Sequence, residues 1–474
     1  MKRPNIVVCL CDQLRAFEVG CYGHNVVRTP NIDALARGGV RFEVAVSNNP
    51  VCTPGRSCLL SGQYSRTCAG LLGNAPEEEA PGRTRPRFPD PTLPEVLREN
   101  GYRTALIGKW HVGAHPELLG FEEYVYPKVH HLNRNQVYFD AAGRARNVPG
   151  YAEDYNGQVF DEFLGRAGDG ERPFFAFYNI ATPHMPYFDV PPEYQHMYSA
   201  EDVELRGNMF VDEELPGNTP LHGVGRWDIY MWDYLAYQLK LNLSLPEGFT
   251  VRDLVARYYG MTTYTDYHVG RLMETLGRHG HGEDTIVVFT SDHGDMLGSH
   301  HRYGKAVLYE ESIRIPLVFH WPAGLAPRSV NGQVASLVDL MPTLLSAAGL
   351  APHGAVQGQD LMPVLSGERS ELDRNRAFIE TTNGQIGLRT LTGLRAVQLE
   401  LAGSAEVEGT LLTVPPPGVK DERAMRFDLA ADPLQLRNLV AEADDGRDEL
   451  WEALSEWNRQ TPWLERPLAA GAHC

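Results

Sequence analysis

Long hydrophobic runs are what this sequence most plainly lacks. No stretch is apolar enough to cross a bilayer as a helix, which takes about 20 consecutive residues. Met1-Lys2-Arg3-Pro4 leads straight into the apolar run Ile6–Cys11, too short for the core of a signal peptide plus its cleavage site, so a cytoplasmic location is expected. Cysteine is scarce and odd in number: seven residues (Cys9, Cys11, Cys21, Cys52, Cys58, Cys68 and Cys474) with no zinc-finger spacing. A disulfide framework is not expected in such a chain. Cys9 and Cys11, two apart, share a strand face and read as small core residues. Positive charge is also short, with 43 Lys and Arg against 61 Asp and Glu, a formal net charge of −18. That balance argues against nucleic acid or an anionic membrane as partner. It does not exclude an anionic substrate, because a local cluster of Arg, Lys and metal dominates inside a cleft once distant charges are screened. There is no internal repeat and no long linker. The length of 474 residues allows a large core and roughly two or three domains.

What is present is a succession of apolar, β-branched strands that end in polar residues. Ile6–Cys11 reads as a strand buried on both faces of a parallel sheet, and it stops at Asp12-Gln13. Ligands of open α/β sheets gather beyond the carboxyl ends of strands, so Asp12 either reaches a site or caps a turn. Thr285–Thr290 repeats the arrangement and ends in Ser291-Asp292-His293-Gly294-Asp295. Side by side, these two strands would bring Asp12, Asp292 and His293 to one cation; alone, Asp-His-Gly is also an ordinary turn. Thr29 and Pro30 open a helix closed by Gly38-Gly39, and Val40–Ser47 follows as a strand. Thr92–Asn100 is helix-like, and the strand Thr104–Ile107 delivers Gly108-Lys109-Trp110-His111-Val112-Gly113. In an extended segment Lys109 and His111 point the same way. Phe174–Ile180 is a further strand, followed by Pro183-His184-Met185-Pro186, where flanking prolines hold the histidine rigidly. Asp253–Leu276 reads as a long helix, Ile315–Trp321 as a strand and Asp339–Ala348 as a helix.

This alternation predicts an α/β fold, a mainly parallel sheet sandwiched by helices, over residues 1–372. From 373 to 474 the pattern changes to a smaller α+β subdomain, with antiparallel strands at Leu388–Leu399 and Glu408–Val414 and a covering helix at Asp445–Gln460. Residues 193–251 depart from regular pattern and carry Trp227, Tyr230, Trp232, Tyr234 and Tyr237. These aromatics form either a sugar- or aryl-binding wall or ordinary packing, and substrate specificity is expected to be set there.

The most pointed stretch is Val51-Cys52-Thr53-Pro54-Gly55-Arg56-Ser57-Cys58-Leu59-Leu60-Ser61-Gly62-Gln63-Tyr64. Pro54 suits the first turn of a helix, which puts Cys52 at the entrance, where unpaired N–H groups and the helix dipole favour an anion. Arg56 lies about one turn on and can steady a negative partner of Cys52. In isolation the same residues could be a buried cysteine beside a surface arginine. Cys-x-Pro-x-Arg followed by Leu-x-Ser-Gly-x-Tyr, however, resembles the signature of the type I sulfatases of the alkaline phosphatase superfamily. Gly-Lys-Trp-His-x-Gly, Pro-His-x-Pro, Ser-Asp-His-Gly-Asp, Gly304-Lys305 and Tyr309-Glu310-Glu311-Ser312 continue the likeness. So do Gly358-Gln359-Asp360-Leu361, Phe427-Asp428-Leu429, Asp432-Pro433 and Asn438-Leu439. The matched motifs run from Asn5 to Leu439.

The resemblance implies an alkaline phosphatase-like fold and hydrolysis of sulfate monoesters to alcohol and sulfate. Cys52 would be oxidised by a maturase to formylglycine, whose hydrate is the nucleophile. It implies catalytic roles for Cys52, Arg56, Lys109, His111, His184 and Lys305, and contacts to the ester from Asn74 and His300, each of which also suits a structural role. One divalent cation, Ca²⁺ first and Mn²⁺ second, would be held by Asp12, Gln13, residue 52, Asp292 and His293. Many sulfatases have an acid where Gln13 stands, and Gln13 offers only a neutral oxygen. The partner implied is a small-molecule or saccharide sulfate ester, and a homo-oligomer is compatible with the sequence. Two other readings share these residues: a phosphonate monoester or phosphate diester hydrolase with the same nucleophile, and a catalytically silent sulfatase-like binding protein.

Overall fold

Alternate residues of the first strand serve two different cores. In β1 (Asn5–Asp12), every residue is buried; Ile6, Val8 and Leu10 face one cluster, and Val7, Cys9 and Cys11 the other. A strand apolar on both faces must lie mid-sheet with both sides covered. The structure, a computed structural model, describes residues 3–75, 88–166, 172–209, 248–398, 423–442 and 448–464. The aromatic residues at 227–237 and the expected strand Glu408–Val414 lie outside the described residues, as does most of the Pro/Glu/Arg-rich stretch at 75–90.

The main sheet has eleven strands. After β1 come β2 (Val40–Val46), β3 (Arg103–Gly108), β4 (Glu123–Pro127), β5 (Arg134–Asp140), β6 (Ala145–Tyr151), β7 (Phe174–Pro183), β8 (Thr285–Ser291), β9 (Arg314–Ile315), β10 (Leu317–His320) and β11 (Arg328–Ser336). Their order is β11-β2-β10-β8-β1-β7-β3-β4-β5-β6, with β9 beside β2. The central strands β8, β1, β7, β3 and β4 run parallel, while β10 is antiparallel to both neighbours and β4-β5-β6 form an antiparallel edge. Helices cover both faces. On one lie α1 (Pro30–Gly38), α4 (Ala152–Gly165) and α5 (Val251–Arg278), and on the other α2 (Cys52–Ser61), α3 (Leu93–Glu99) and α6 (Leu340–Ala347). The architecture is the helix-sandwiched sheet that the alternation predicts.

Some element boundaries differ from the sequence reading, each for a local reason. Ile315–Trp321 is two strands, because Pro316 has no N–H for the ladder and the next amide, Leu317 N, donates to Tyr22 OH at 2.8 Å. Within 388–398 lie the end of one strand (Gln385–Arg389) and the whole of its antiparallel neighbour (Gly393–Gln398), divided by a turn that Thr390 N closes by donating to Gly393 O at 2.9 Å. Helix α5 starts at Val251, where Thr250 and Asp253 form a capping box.

A second, four-stranded antiparallel sheet runs β12 (Ala377–Glu380), β13 (Gln385–Arg389), β14 (Gly393–Gln398) and β15 (Ala424–Asp428). Helix α7 (Glu449–Gln460), capped by Asp448, lays Trp457 flat on Phe378 at 5.0 Å. Arg66, just past the Cys52 helix, bonds buried Glu380 at 2.5 Å and stacks on Trp457 and Trp463 at 4.8 Å each. The small sheet therefore shares a core with α2, and the division at 372/373 that we propose is one of topology.

Buried Glu153, in the first turn of α4, stands behind the strand end that delivers His184. Its carboxylate accepts from Ala181 N at 2.7 Å and Asn156 Nδ2 at 2.9 Å. Burial pushes its pKa up from 4.5 to about 7, against the pull of those two bonds. A carboxyl whose folded pKa is raised binds its proton more tightly when folded, so its contribution to stability falls as pH rises from about 4.5 to 7 and stays lost above. The shift corresponds to about 3 kcal/mol at most. Glu153→Gln is therefore expected to gain stability relative to the parent between pH 5 and pH 8, measured by urea denaturation at each pH. A constant difference across that range would remove Glu153 as the source.

Candidate active site

Four strand ends and one helix entrance meet at Cys52. Strands β1 and β8 pair in parallel, with Cys11 opposite Ser291 and Asp292 N donating to Cys11 O at 3.2 Å, so Asp12 and Asp292 leave the sheet side by side. Helix α2 begins at Cys52, whose Sγ lies 3.7 Å from Asp12 Oδ1 and 3.2 Å from His293 Nε2. Gly55 lets the helix come this close, since a Cβ there would meet Asp292 O at 2.9 Å and Asn49 O at 3.2 Å. Thr53 ties the entrance to the next loop by donating its hydroxyl to His111 O at 3.0 Å.

Arg56, fully buried, donates to Asp292 Oδ2 at 2.9 Å, Asn179 Oδ1 at 2.7 Å and Lys109 O at 3.1 Å. Lys109 pairs with Asp12 and lies 3.9 Å from Cys52 Sγ. Lys305 Nζ donates to Cys52 Sγ at 3.0 Å and Gln13 Oε1 at 3.0 Å, and meets His184 Nε2 at 2.9 Å. His184 Nδ1 lies 2.6 Å from Met185 O. A carbonyl only accepts, so Nδ1 carries the proton and Nε2 is the acceptor for Lys305.

The field at residue 52 is strongly positive. Burial raises the Cys52 thiol pKa, yet Lys109, Lys305 and His293 together hold it well below the ordinary thiol range. Asp12 is lowered in spite of burial and of Cys52, by Lys109, His184 and Lys305. Burial, then Lys305, keeps His184 well below the usual imidazole value, and burial takes His111 down to about 4. Both rings are thus neutral near pH 7. Two buried polar atoms of the site, Arg56 Nη2, which lies 4.0 Å from Asp12 Oδ2, and His111 Nδ1, have no hydrogen-bond partner among the described residues. Unpaired buried polar atoms are costly, so each is free to bond a polar group entering the site.

The same centre suits a cation on its other side. Ligand atoms of Asp12, Cys52, Asp292 and His293 all lie within 4.8 Å of one another and are buried. His293 Nε2 is 3.4 Å from Asp12 Oδ1 and 3.5 Å from Asp292 Oδ1, separations that ligands roughly 2.0–2.6 Å from a shared ion would have. His293 Nδ1 donates to Gly294 O at 2.8 Å, which turns the Nε2 lone pair inward, as a metal-ligating imidazole requires. Two carboxylates, an imidazole and residue 52 fit one divalent ion. A second set, Asp12, Cys52, His131 and His184, overlaps the first, but there the Lys305 ammonium already meets His184.

Of the residues the sequence nominates, Asp12, Gln13, Cys52, Arg56, Lys109, His111, His184, Asp292, His293 and Lys305 are brought together. The expected extended run at Lys109–His111 is absent: Gly108 at φ 88° turns the chain and His111 is left-handed at φ 46°. A Cβ at 108 would lie 2.1 Å from Asn179 O, so only glycine permits this turn. Asn74 is exposed and its Oδ1 accepts from Thr53 N at 3.1 Å, capping the Cys52 helix. His300 stacks on Tyr309 at 4.0 Å and meets Asn208 at 3.1 Å.

Sequence reasoning missed three sets of residues. Asp295 accepts from Gln13 Nε2 and from Tyr187 OH, fixing the amide so that Gln13 Oε1 faces Lys305; its place in the Asp-His-Gly-Asp motif was the available signal. Asn179 orients Arg56 from the interior of β7. His130 and His131 stack on His111 and His184, and their adjacency in sequence gave no sign of it.

The family model described as Sulfatase matches residues 4–350. The chain is 28% identical to an ulvan-active sulfatase from Formosa agariphila, over 93% of this chain and 78% of that protein. It is 26% identical to an N-acetylglucosamine-6-O-sulfatase from Bacteroides thetaiotaomicron, over 97% and 87%. A crystal structure from Bacteroides fragilis, assigned as a yidJ sulfatase, superimposes with a TM-score of 0.77 at 26% identity, covering 97% of this chain and 96% of that one. Among the described residues no helix is long and apolar enough to cross a membrane.

Proposed function

This chain belongs to the sulfatase family, whose members are sulfuric ester hydrolases, and on that premise we propose that it cleaves sulfate monoesters at residue 52. The observation that carries the reading is the cationic field focused on Cys52, deep enough to ionise a thiol despite full burial. Such a field holds a sulfate group equally well and stabilises charge passing to the leaving oxygen.

In this reading Cys52, converted to formylglycine by a maturase, supplies an aldehyde hydrate as the nucleophile. Asp12, Asp292, His293 and residue 52 would hold one divalent ion, with Ca²⁺ the expected ion, which would supply Lewis acidity to the hydroxyl and the ester. Gln13, aimed by Asp295, adds a neutral oxygen. Arg56, Lys109 and His111 take the ester oxygens. Lys305 holds the proton for the departing alcohol, because His184 carries its own proton on Nδ1, turned to Met185 O; His184 orients Lys305. His111, neutral near pH 7, is the group able to take a proton at residue 52. The ester is a small-molecule or saccharide sulfate.

Co-expression with a formylglycine-generating maturase is expected to yield the aldehyde at residue 52 by peptide mass spectrometry, and turnover that tracks the converted fraction. Activity in a preparation holding only the thiol would overturn the mechanism. A kcat/KM higher on an aryl phosphonate or phosphate diester than on the aryl sulfate would reassign the substrate.

A further inference from the structure

An ammonium has three N–H bonds to place and no acceptor, and Lys305 Nζ has three acceptors around it. It donates to Cys52 Sγ at 3.0 Å and to Gln13 Oε1 at 3.0 Å, and His184 Nε2 stands at 2.9 Å. The first bond points to the reacting centre, and the other two acceptors set its direction. His184 is held by its own Nδ1–H on Met185 O at 2.6 Å. Gln13 needs a hold of a different kind. An amide turned end for end fills the same space, yet it would set N–H donors against the ammonium.

The backbone of Gln13 does not decide that turn. It is left-handed at φ 66°, its N donates to Asp292 Oδ1 at 3.2 Å, and its O accepts from Tyr258 OH at 2.7 Å. The amide end is decided by buried Asp295. One oxygen of that carboxylate accepts from Gln13 Nε2 and from Tyr187 OH at 3.0 Å, and the other from Leu297 N at 2.6 Å. With donors on both oxygens Asp295 acts as an acceptor, so it takes the NH₂ end of the amide and leaves the oxygen for Lys305. Tyr187 is itself buried, three residues after His184, and its hydroxyl lies 3.5 Å from Gln13 Nε2. The segment that supplies one acceptor of Lys305 thereby braces the other.

Resting on the sulfatase reading, in which Lys305 gives its proton to the departing alcohol, we propose that Asp295 is a positioning residue for Lys305. It acts through the Gln13 amide, with Tyr187 holding its carboxylate in place. Proton donation matters most to a poor leaving group, so a displaced Lys305 makes kcat/KM depend more steeply on the leaving phenol.

The test compares phenyl sulfate with 4-nitrophenyl sulfate on the converted, full-length enzyme, with Lys305→Ala as the reference. Lys305→Ala is expected to lower the phenyl-to-nitrophenyl ratio of kcat/KM by about 10²-fold. Asp295→Asn keeps the size of the side chain but brings a donor that turns the Gln13 amide over, and is expected to lower the ratio about tenfold. Gln13→Glu combined with Asp295→Asn exchanges the acid and the amide. A carboxylate at position 13 offers Lys305 an oxygen whichever way it turns, so most of the lost ratio is expected to return. A ratio unchanged by Asp295→Asn, a parallel fall on both esters, or a double variant no better than Asp295→Asn would overturn the proposal and leave Asp295 a scaffold residue. Should Asp295→Asn not fold, Tyr187→Phe makes the same test by removing one hydroxyl: a fall of about threefold in the ratio is expected, and no change would overturn the proposal. An unaltered ratio in Lys305→Ala, or a parent inactive on both esters, would instead sink the reading on which the proposal rests.

Discussion

Replacing Cys52 with alanine is expected to lower kcat on an aryl sulfate by about 10⁵-fold or more, since among the described residues no other thiol or hydroxyl side chain is placed at the centre. The fold should survive, because the side chain removed is small. The variant does, however, take away the group to which Lys305 donates at 3.0 Å and which His293 Nε2 approaches at 3.2 Å. Cys52→Ser makes the sharper case. A serine oxygen sits at the same helix entrance and in the same field, yet after transfer it holds the sulfate with no second hydroxyl to expel it. One equivalent of alcohol per enzyme, followed by arrest, is the expected time course in a stopped assay. Sustained turnover by either variant would show that residue 52 is not the nucleophile.

Arg56→Ala is expected to damage folding and chemistry together. Its guanidinium is wholly buried and spans Asp292, Asn179 and the carbonyl of Lys109. Without it Asp292 is left as a poorly compensated buried carboxylate, beside Asp12, which already raises its pKa together with burial. Breaking a buried pair in this way costs about 3–5 kcal/mol, and loss of the Nη2 donor facing the ester costs about 10²–10³ in kcat. Arg56→Lys is not expected to rescue it, because an ammonium cannot reproduce the planar fork that reaches three acceptors at once. Chemical denaturation and kcat/KM read the two effects separately. A variant within about 1 kcal/mol of the parent would mean that Asp292 finds compensation elsewhere.

The residues we propose as carriers of the chemistry stand out in sequence because strand ends are visible as apolar runs that stop. Ile6–Cys11 and Thr285–Thr290 each stop at an acid, and the register of β1 with β8 places those acids together. The Lys109–His111 geometry was misread as extended because a left-handed turn depends on the glycine at 108 and on how close Asn179 O lies. Nothing in the residue types at 109–111 announces that. Asp295 carries the same chemistry as Asp12 on paper; only its contact with Gln13 shows that it aims an amide. His130 and His131 lie in an irregular loop with no periodicity, so their convergence on His111 and His184 could not be read.

By itself the sequence determined the layered sheet, the helix entrance at residue 52 and the residue types able to hold an anion beside a cation, because burial pattern and strand termini are local properties. Only the tertiary structure decided which nitrogen of His184 bears a proton, which way Gln13 faces and which histidines stack on His111 and His184. The His184 tautomer rests on the neighbouring Met185 O together with Lys305, and the others on partners tens to hundreds of residues away; hydrogen-bond direction and ring stacking exist only once such partners meet.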